Sequence, residues 1–306
     1  YHGILIRDGK TRLVALSTAV RLTAMATTGL LLFFIFRPPG AWVGAASLSL
    51  GVTLEAIASR IMAIGSIRRL NKLTEIKIEG SFGEDNQPYE ELTYRRIIRF
   101  YYPLALTSMI ALAAQPMMTF FMGRATAPVE SLAVFPVVFS LVFLFRSMGL
   151  SFQEVGIALM GREFEHFGPL ARFATILGVS STAVLALVAF TPLSGVWFVT
   201  VSGLSPELAR YALMPTIILV PLPFLSALLS FQRSILVGAR NTRPITIATA
   251  LEVTGIAILF PLLGWKFGIV GVTAAAISIL VGRIGANSFL MAPCRKAILP
   301  SAKEKL

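Results

Sequence analysis

The chain carries one cysteine, Cys294, two histidines, His2 and His166, and only 15 acidic residues among 306. A single thiol excludes an internal disulfide framework and a cysteine-rich zinc site. The two histidines are too few and too far apart for a histidine metal site, so no metal is expected. Charge of both signs is scarce: 14% of residues are charged, against roughly 25% in an ordinary soluble domain. That is too little to clothe a water-facing surface, which excludes a cytosolic enzyme. A glycine-rich phosphate loop, an HExxH pair, and a serine or cysteine nucleophile with a histidine nearby are also missing. The chain is therefore expected not to be an enzyme and to have no catalytic residue and no cofactor.

What is present is apolar, 56% of the chain, and it comes in long runs. A membrane-spanning helix needs about 20 such residues. Eight segments qualify: 11–36, 40–67, 96–123, 129–160, 168–199, 206–231, 243–265 and 267–293. The fold class expected is all-α, a polytopic membrane protein with eight transmembrane helices arranged 2 + 6.

The net charge is +12, and in a soluble chain that would suggest nucleic-acid binding. Here the basic residues sit at the ends of apolar runs, where they orient helices. With residue 1 placed inside, 19 of them fall on the inner side, among them Lys10, Arg68, Arg69, Arg172, Arg240 and Arg243. Four fall outside, Arg37, Arg124, Arg210 and Lys266. Both termini are thus expected to be cytoplasmic, in a cytoplasmic (inner or plasma) membrane. Membrane lipids are the expected partners of the dispersed cations, and nucleic acid is not. Residues 68–95, with Gly80, Gly83, Asn86 and Pro88 among mixed charges, read as a cytoplasmic linker. The domains expected are 1–67, the linker 68–95, a six-helix lobe over 96–293, and a cytoplasmic tail over 294–306.

The two helices before the linker resemble the last two of the chain. Residues 4–26 align without gaps on 235–257, with Ile4, Leu5, Thr11, Arg12, Thr18 and Ala19 matching Ile235, Leu236, Thr242, Arg243, Thr249 and Ala250. After a short length difference, Val43 and Gly44 match Val270 and Gly271. A repeat of six helices predicts four more helices upstream of Tyr1, which is not an initiator methionine. An even number of helices per unit predicts two parallel lobes, as in transporters with a site between the halves.

On these residues the chain resembles the MOP flippase superfamily, which includes the multidrug and toxic compound extrusion (MATE) exporters. The segment FYYPLALTSMIALAAQPMMTFFMGRA, 100–125, resembles the first helix of a lobe, with Pro103 early and Gly123-Arg124 at its close. GILIRDGKTRLV and ILVGARNTRPI resemble the inner turn leading into the fifth helix of each lobe. YPLAL, VPLPF and the final hairpin are also similar to the progressive ankylosis (ANK) transporters. The resemblance implies alternating access of two lobes, driven by proton or sodium. The best-known MATE cation site uses an acidic residue in the first helix of the first lobe, which is expected upstream of this chain; the corresponding helix of the second lobe, 96–123, contains no acidic residue, so the coupling ion and its site stay open.

Charge inside the hydrocarbon needs a partner or a wet cavity. Seven residues qualify: Arg21, Glu55, Arg60, Arg146, Glu154, Glu252 and Arg283. Arg21 and Glu252 occupy equivalent places in the repeat, about 15 Å from the inner helix end, and Glu55 and Arg283 lie at about 18–20 Å. Two charge-swapped ion pairs are predicted, Arg21–Glu55 and Glu252–Arg283. They either pin helices together or, at Glu252, bind a proton whose exchange accompanies transport. Arg146 lies deep and suits an anionic substrate or a structural counter-ion. Glu154, about 12 Å further along the same face, joins it as a path candidate or sits at the interface. Gln115-Pro116, Pro221 and Pro223 interrupt helix hydrogen bonding, either as ordinary membrane-helix prolines or at a cavity or hinge.

The function expected is therefore a secondary active exporter, a cation-coupled antiporter of a small amphipathic or anionic solute, monomeric when full length. A lipid or lipid-linked oligosaccharide flippase of the same superfamily and a non-transporting membrane scaffold are the alternatives.

Overall fold

The computed structural model describes residues 1–36, 39–79, 94–161 and 164–303. Among these the structure is helical, with one isolated parallel bridge between Thr126 and Val270. The chain divides into two compact units, 1–90 and 91–306.

The first unit contains α1 (His2–Arg7), α2 (Thr11–Leu31) and α3 (Gly40–Glu79). The α1–α2 turn is closed by the Lys10 amide donating to the Leu5 carbonyl over 2.9 Å, with Gly9 at φ +73°, a conformation glycine adopts without penalty. α2 ends in a π-helical turn, Leu32–Phe36, and packs on α3 across small residues. A Cβ on Gly51 would stand 3.3 Å from the Arg21 carbonyl oxygen, so the backbones meet closely there. α3 runs on to Glu79, so residues 68–79 are helix where a linker is expected. That stretch holds neither glycine nor proline before Gly80, and its Arg, Lys, Leu and Glu favour helix. The rest of the expected linker, 80–93, lies outside the described residues.

The second unit contains α4 (Tyr94–Met122), α5 (Pro128–Leu159), α6 (Phe167–Phe190), the single turn α7 (Leu193–Gly195), α8 (Pro206–Leu219), α9 (Leu222–Gly238), α10 (Arg243–Pro261) and α11 (Gly271–Lys303). The α9–α10 turn is closed by the Asn241 amide donating to the Leu236 carbonyl over 2.9 Å, with Arg240 at φ 54°. α10, like α2, ends in a π-helical turn, Leu262–Lys266.

Among the described residues seven helical stretches are long and apolar enough to cross a bilayer: Arg12–Ile35, Gly40–Arg69, Pro128–Leu159, Phe167–Phe190, Pro206–Gly238, Arg243–Lys266 and Gly271–Ile298. This is the architecture of a multi-pass membrane protein. The remaining expected span, 96–123, falls within α4, whose apolar described stretch is the shorter Ser108–Met122. Three boundaries differ from expectation. The span expected over 168–199 ends at Phe190, because Thr191 is extended (ψ 169°) before Pro192, as a residue preceding proline prefers. The span expected over 206–231 is two helices broken at Val220-Pro221 and continuing to Gly238. The expected tail over 294–306 is, as far as Lys303, the end of α11.

The core of this unit is layered. One apolar cluster gathers Met118, Val138, Val142, Leu219, Phe260 and Ile279, and a second gathers Phe152, Phe231, Ile235, Ala248, Ala286 and Leu290. On α5, α10 and α11 the two clusters are separated by a stretch with one charged position each, Arg146, Glu252 and Arg283.

Candidate functional site

Five helices meet at that separation. α4 contributes Gln115, α5 Arg146, α9 Arg233, α10 Thr249 and Glu252, and α11 Arg283, around a cavity of about 280 Å³. Gln115, Phe139 and Arg146 also line an adjoining cavity of about 540 Å³ with Phe135, Pro136 and Phe143. Beside this space α5 and α9 approach closely: a Cβ on Gly149 would lie 2.9 Å from the Ala227 nitrogen.

Glu252 and Arg283 are both buried and pair at 2.8 Å, Nη2 to Oε1. Arg233 Nη2 donates to the Thr249 hydroxyl over 3.1 Å, and that hydroxyl donates to the Ile245 carbonyl over 3.0 Å. Behind the site, Gln232 Nε2 donates to the Asn287 carbonyl over 3.0 Å, and Asn287 Nδ2 donates to the Leu225 carbonyl over 3.1 Å. These bonds fix α9 against α11, and with it the separation of Arg233 and Arg283. The Nε atoms of Arg146, Arg233 and Arg283 are buried without a hydrogen-bond partner.

The charges do not balance. Three guanidiniums and one carboxylate line the cavity, an excess of two positive charges. A buried ion costs several kcal/mol unless it is compensated, so the space favours an anion. Guanidinium donors arranged as forks match carboxylate, phosphate or sulfate oxygens. Among the described residues no group of three or more His, Cys, Asp or Glu could hold a metal ion.

In the first unit Arg21 Nη1 donates to Glu55 Oε2 over 3.1 Å. Thr18 donates to Glu55 Oε1 over 3.5 Å. His2 Nε2 lies 3.8 Å from that oxygen, within hydrogen-bond distance of Ser17 (3.0 Å) and Ser59 (3.1 Å). The structure thus brings together Arg21 with Glu55, and Glu252 with Arg283, Arg146 and Gln115. It does not bring in Glu154, which is exposed on α5, nor Pro116, Pro221 or Pro223, which line neither cavity. Arg60 is exposed on α3. Pro221 instead starts α9, and the Phe224 amide freed near that break donates to the Thr182 hydroxyl on α6 over 3.1 Å.

Arg233, Thr249, Pro136 and His2 are the residues that sequence reasoning missed. Arg233 follows Phe231-Gln232, where the apolar run weakens, and so reads in the sequence as one of the 19 inner-side cations. The signal for it was the polar face of α9, where Ser226, Ser230, Arg233 and Ser234 recur at helical spacing. Comparison with protein-family models, with curated proteins and with solved structures gives no match.

Proposed function

We propose that the chain belongs to a secondary active exporter of the MATE-like kind, moving a small anionic solute by cation-coupled alternating access of two helical lobes. In this reading 96–293 forms one lobe and 1–67 supplies two helices of the other. The observation that carries it is the cavity's excess of two positive charges inside a bundle of apolar helices. Charges kept within membrane helices mark ion and substrate paths. An anion completes this one, and an interior-negative membrane potential drives an anion outward, which favours export. A scaffold has no use for an excess of two positive charges around a buried cavity.

Three likenesses support the two-lobe part. The turns at Gly9 and Arg240 share a left-handed residue and the same closing hydrogen bond. α2 and α10 both end in a π-helical turn. Each hairpin carries one Glu–Arg pair, with the order of the two residues exchanged.

The reading is tested with the protein carrying the four upstream helices that the repeat predicts, reconstituted in proteoliposomes loaded with radiolabelled sulfate, succinate or a short disulfonate. Saturable efflux of at least one of these is expected, falling about tenfold or more in R146Q, as loss of a charge-assisted hydrogen bond implies. Folded protein that releases none of them, or that prefers organic cations, overturns it.

A further inference from the structure

We propose that the anion and one proton bind this lobe together, with Glu252 taking the proton and Arg283 changing partner from Glu252 to the anion. The inference rests on the anion-transport reading and adds the sign of its coupling.

The geometry limits what an incoming anion can do. Arg233 is engaged with Thr249, and Arg283 is engaged with Glu252 at 2.8 Å. Arg146 lies at the junction of the two cavities. An anion held by Arg146 within about 280 Å³ therefore shares that small space with the Glu252 carboxylate. Two like charges so close destabilise each other. They also compete for the same guanidinium, since Arg283 is the acid's ion-pair partner among the described residues.

Protonation of Glu252 resolves both conflicts. The carboxylate Oε1 that accepted from Arg283 gains an O–H bond with a proton drawn from water. Arg283 keeps its positive charge, and its Nη2 donates to the anion instead. The groups facing Glu252 are all cations or neutral: Arg283 from α11, Arg146 from α5, Arg233 from α9, and Gln115 from α4. Among the described residues Glu252 is thus the one acidic side chain lining the cavity, and the proton has one destination there.

The sign of the coupling follows. Sites at which a solute and a proton exclude each other exchange the two in opposite directions. Here each ligand favours the other, and by linkage the effect is reciprocal. Anion and proton accordingly cross in the same direction, and a dianion leaving with one proton still carries net negative charge outward. The antiport expected from the family resemblance gives way to co-movement.

Sulfate and 1,2-ethanedisulfonate keep a constant charge over the pH range of interest and serve as probes. Binding to the purified chain is measured by calorimetry at about pH 6 and about pH 8, in two buffers of different ionisation enthalpy. The expected result is uptake of about one proton per anion and binding about tenfold or more tighter at the lower pH, the limit for one linked proton being about tenfold per pH unit. E252Q is expected to bind with little pH dependence and no proton uptake. The proton count in the unaltered chain needs no variant, so the test stands even if E252Q fails to fold. The double variant E252Q/R146Q is expected to lose binding. Anion binding without proton uptake, or a pH slope retained in E252Q, overturns the co-binding and leaves the anion reading standing. Absence of binding to the unaltered chain at either pH overturns both.

Discussion

At the residue scale, the ionic group outside the membrane-spanning helices shows how a single carboxylate can hold a turn. Asp8 accepts from Lys10 Nζ at 2.8 Å and from the Ser66 hydroxyl at 2.8 Å, with Arg69 at 3.8 Å. The hydrogen bond from Lys10, then that from Ser66, holds the Asp8 carboxyl below its ordinary value of 3.8. A carboxyl whose value is lower in the folded protein stabilises it above the unfolded value, and that contribution is lost as pH falls through the folded one. Trypsin cleavage at Lys10 and Arg12 is therefore expected to be several-fold faster in D8N than in the unaltered chain at neutral pH. In hydrogen exchange carried out well below the ordinary carboxyl value of about 3.9, where Asp8 is itself protonated, protection of this turn should no longer distinguish the two. A D8N chain as resistant as the original at neutral pH would show that the network carries no mechanical role. This network was not legible in the sequence, because Ser66 is far from Asp8 in the chain and no periodicity connects them. The Glu252–Arg283 pair was legible, because burial in a hairpin leaves a lone charge on each helix few other partners. Glu154 misled for the same reason in reverse: spacing along α5 sets its height but not its side of the helix relative to neighbouring helices.

At the element scale, helix contacts in the second unit depend on glycines facing backbone. Gly149 on α5 meets the backbone of Ala227 on α9, where an added Cβ would stand 2.9 Å from nitrogen and 3.0 Å from Cα. Backbone cannot swing aside as a side-chain tip can, so G149L is expected to destabilise the unit by about 1–3 kcal/mol, the usual range for overpacking. It should also widen the spacing of Arg146 and Arg233, which these two helices carry. A Cβ on Gly285, within α11, would meet nothing within 4 Å, so G285A is expected to raise stability by up to about 1 kcal/mol. Thermal unfolding followed by tryptophan fluorescence separates the two. Equal effects would mean that the α5–α9 seam is looser than the structure shows. The positions of the long helices were legible from apolar runs, since length and hydropathy decide them. The internal breaks were less so. Pro192 ends a helix and Pro221 divides one, whereas the helix passes through Pro116 without interruption; the outcome depends on whether a neighbour such as Thr182 captures the freed backbone group, which local sequence does not reveal.

At the scale of the whole molecule, the distribution of basic residues determines which side of the membrane each turn occupies. With Arg233 assigned to the cavity, the segments predicted to face inward carry 18 of the 19 Lys and Arg first counted there, against four on the other side, and each short turn adds to one orientation because positive charge is retained on the cytoplasmic face. The α9–α10 turn, with Arg240 and Arg243, should lie inside. The α10–α11 turn, where Lys266 closes a π-helical segment beside exposed Trp265 and Phe267, should lie outside, its aromatics at the interface. The two turns are joined by a single helix, so a wrong orientation for one is wrong for both. In a C294S background, K266C is expected to react with a membrane-impermeant maleimide applied to intact cells, and N241C only after the membrane is opened. Cys294 itself is buried, so its removal tests nothing else about the surface. Labelling of N241C in intact cells would invert the molecule. The cavity would keep its charge, because that depends on Arg146, Arg233, Glu252 and Arg283, but the proposed direction of transport would have to be argued again from the opposite side.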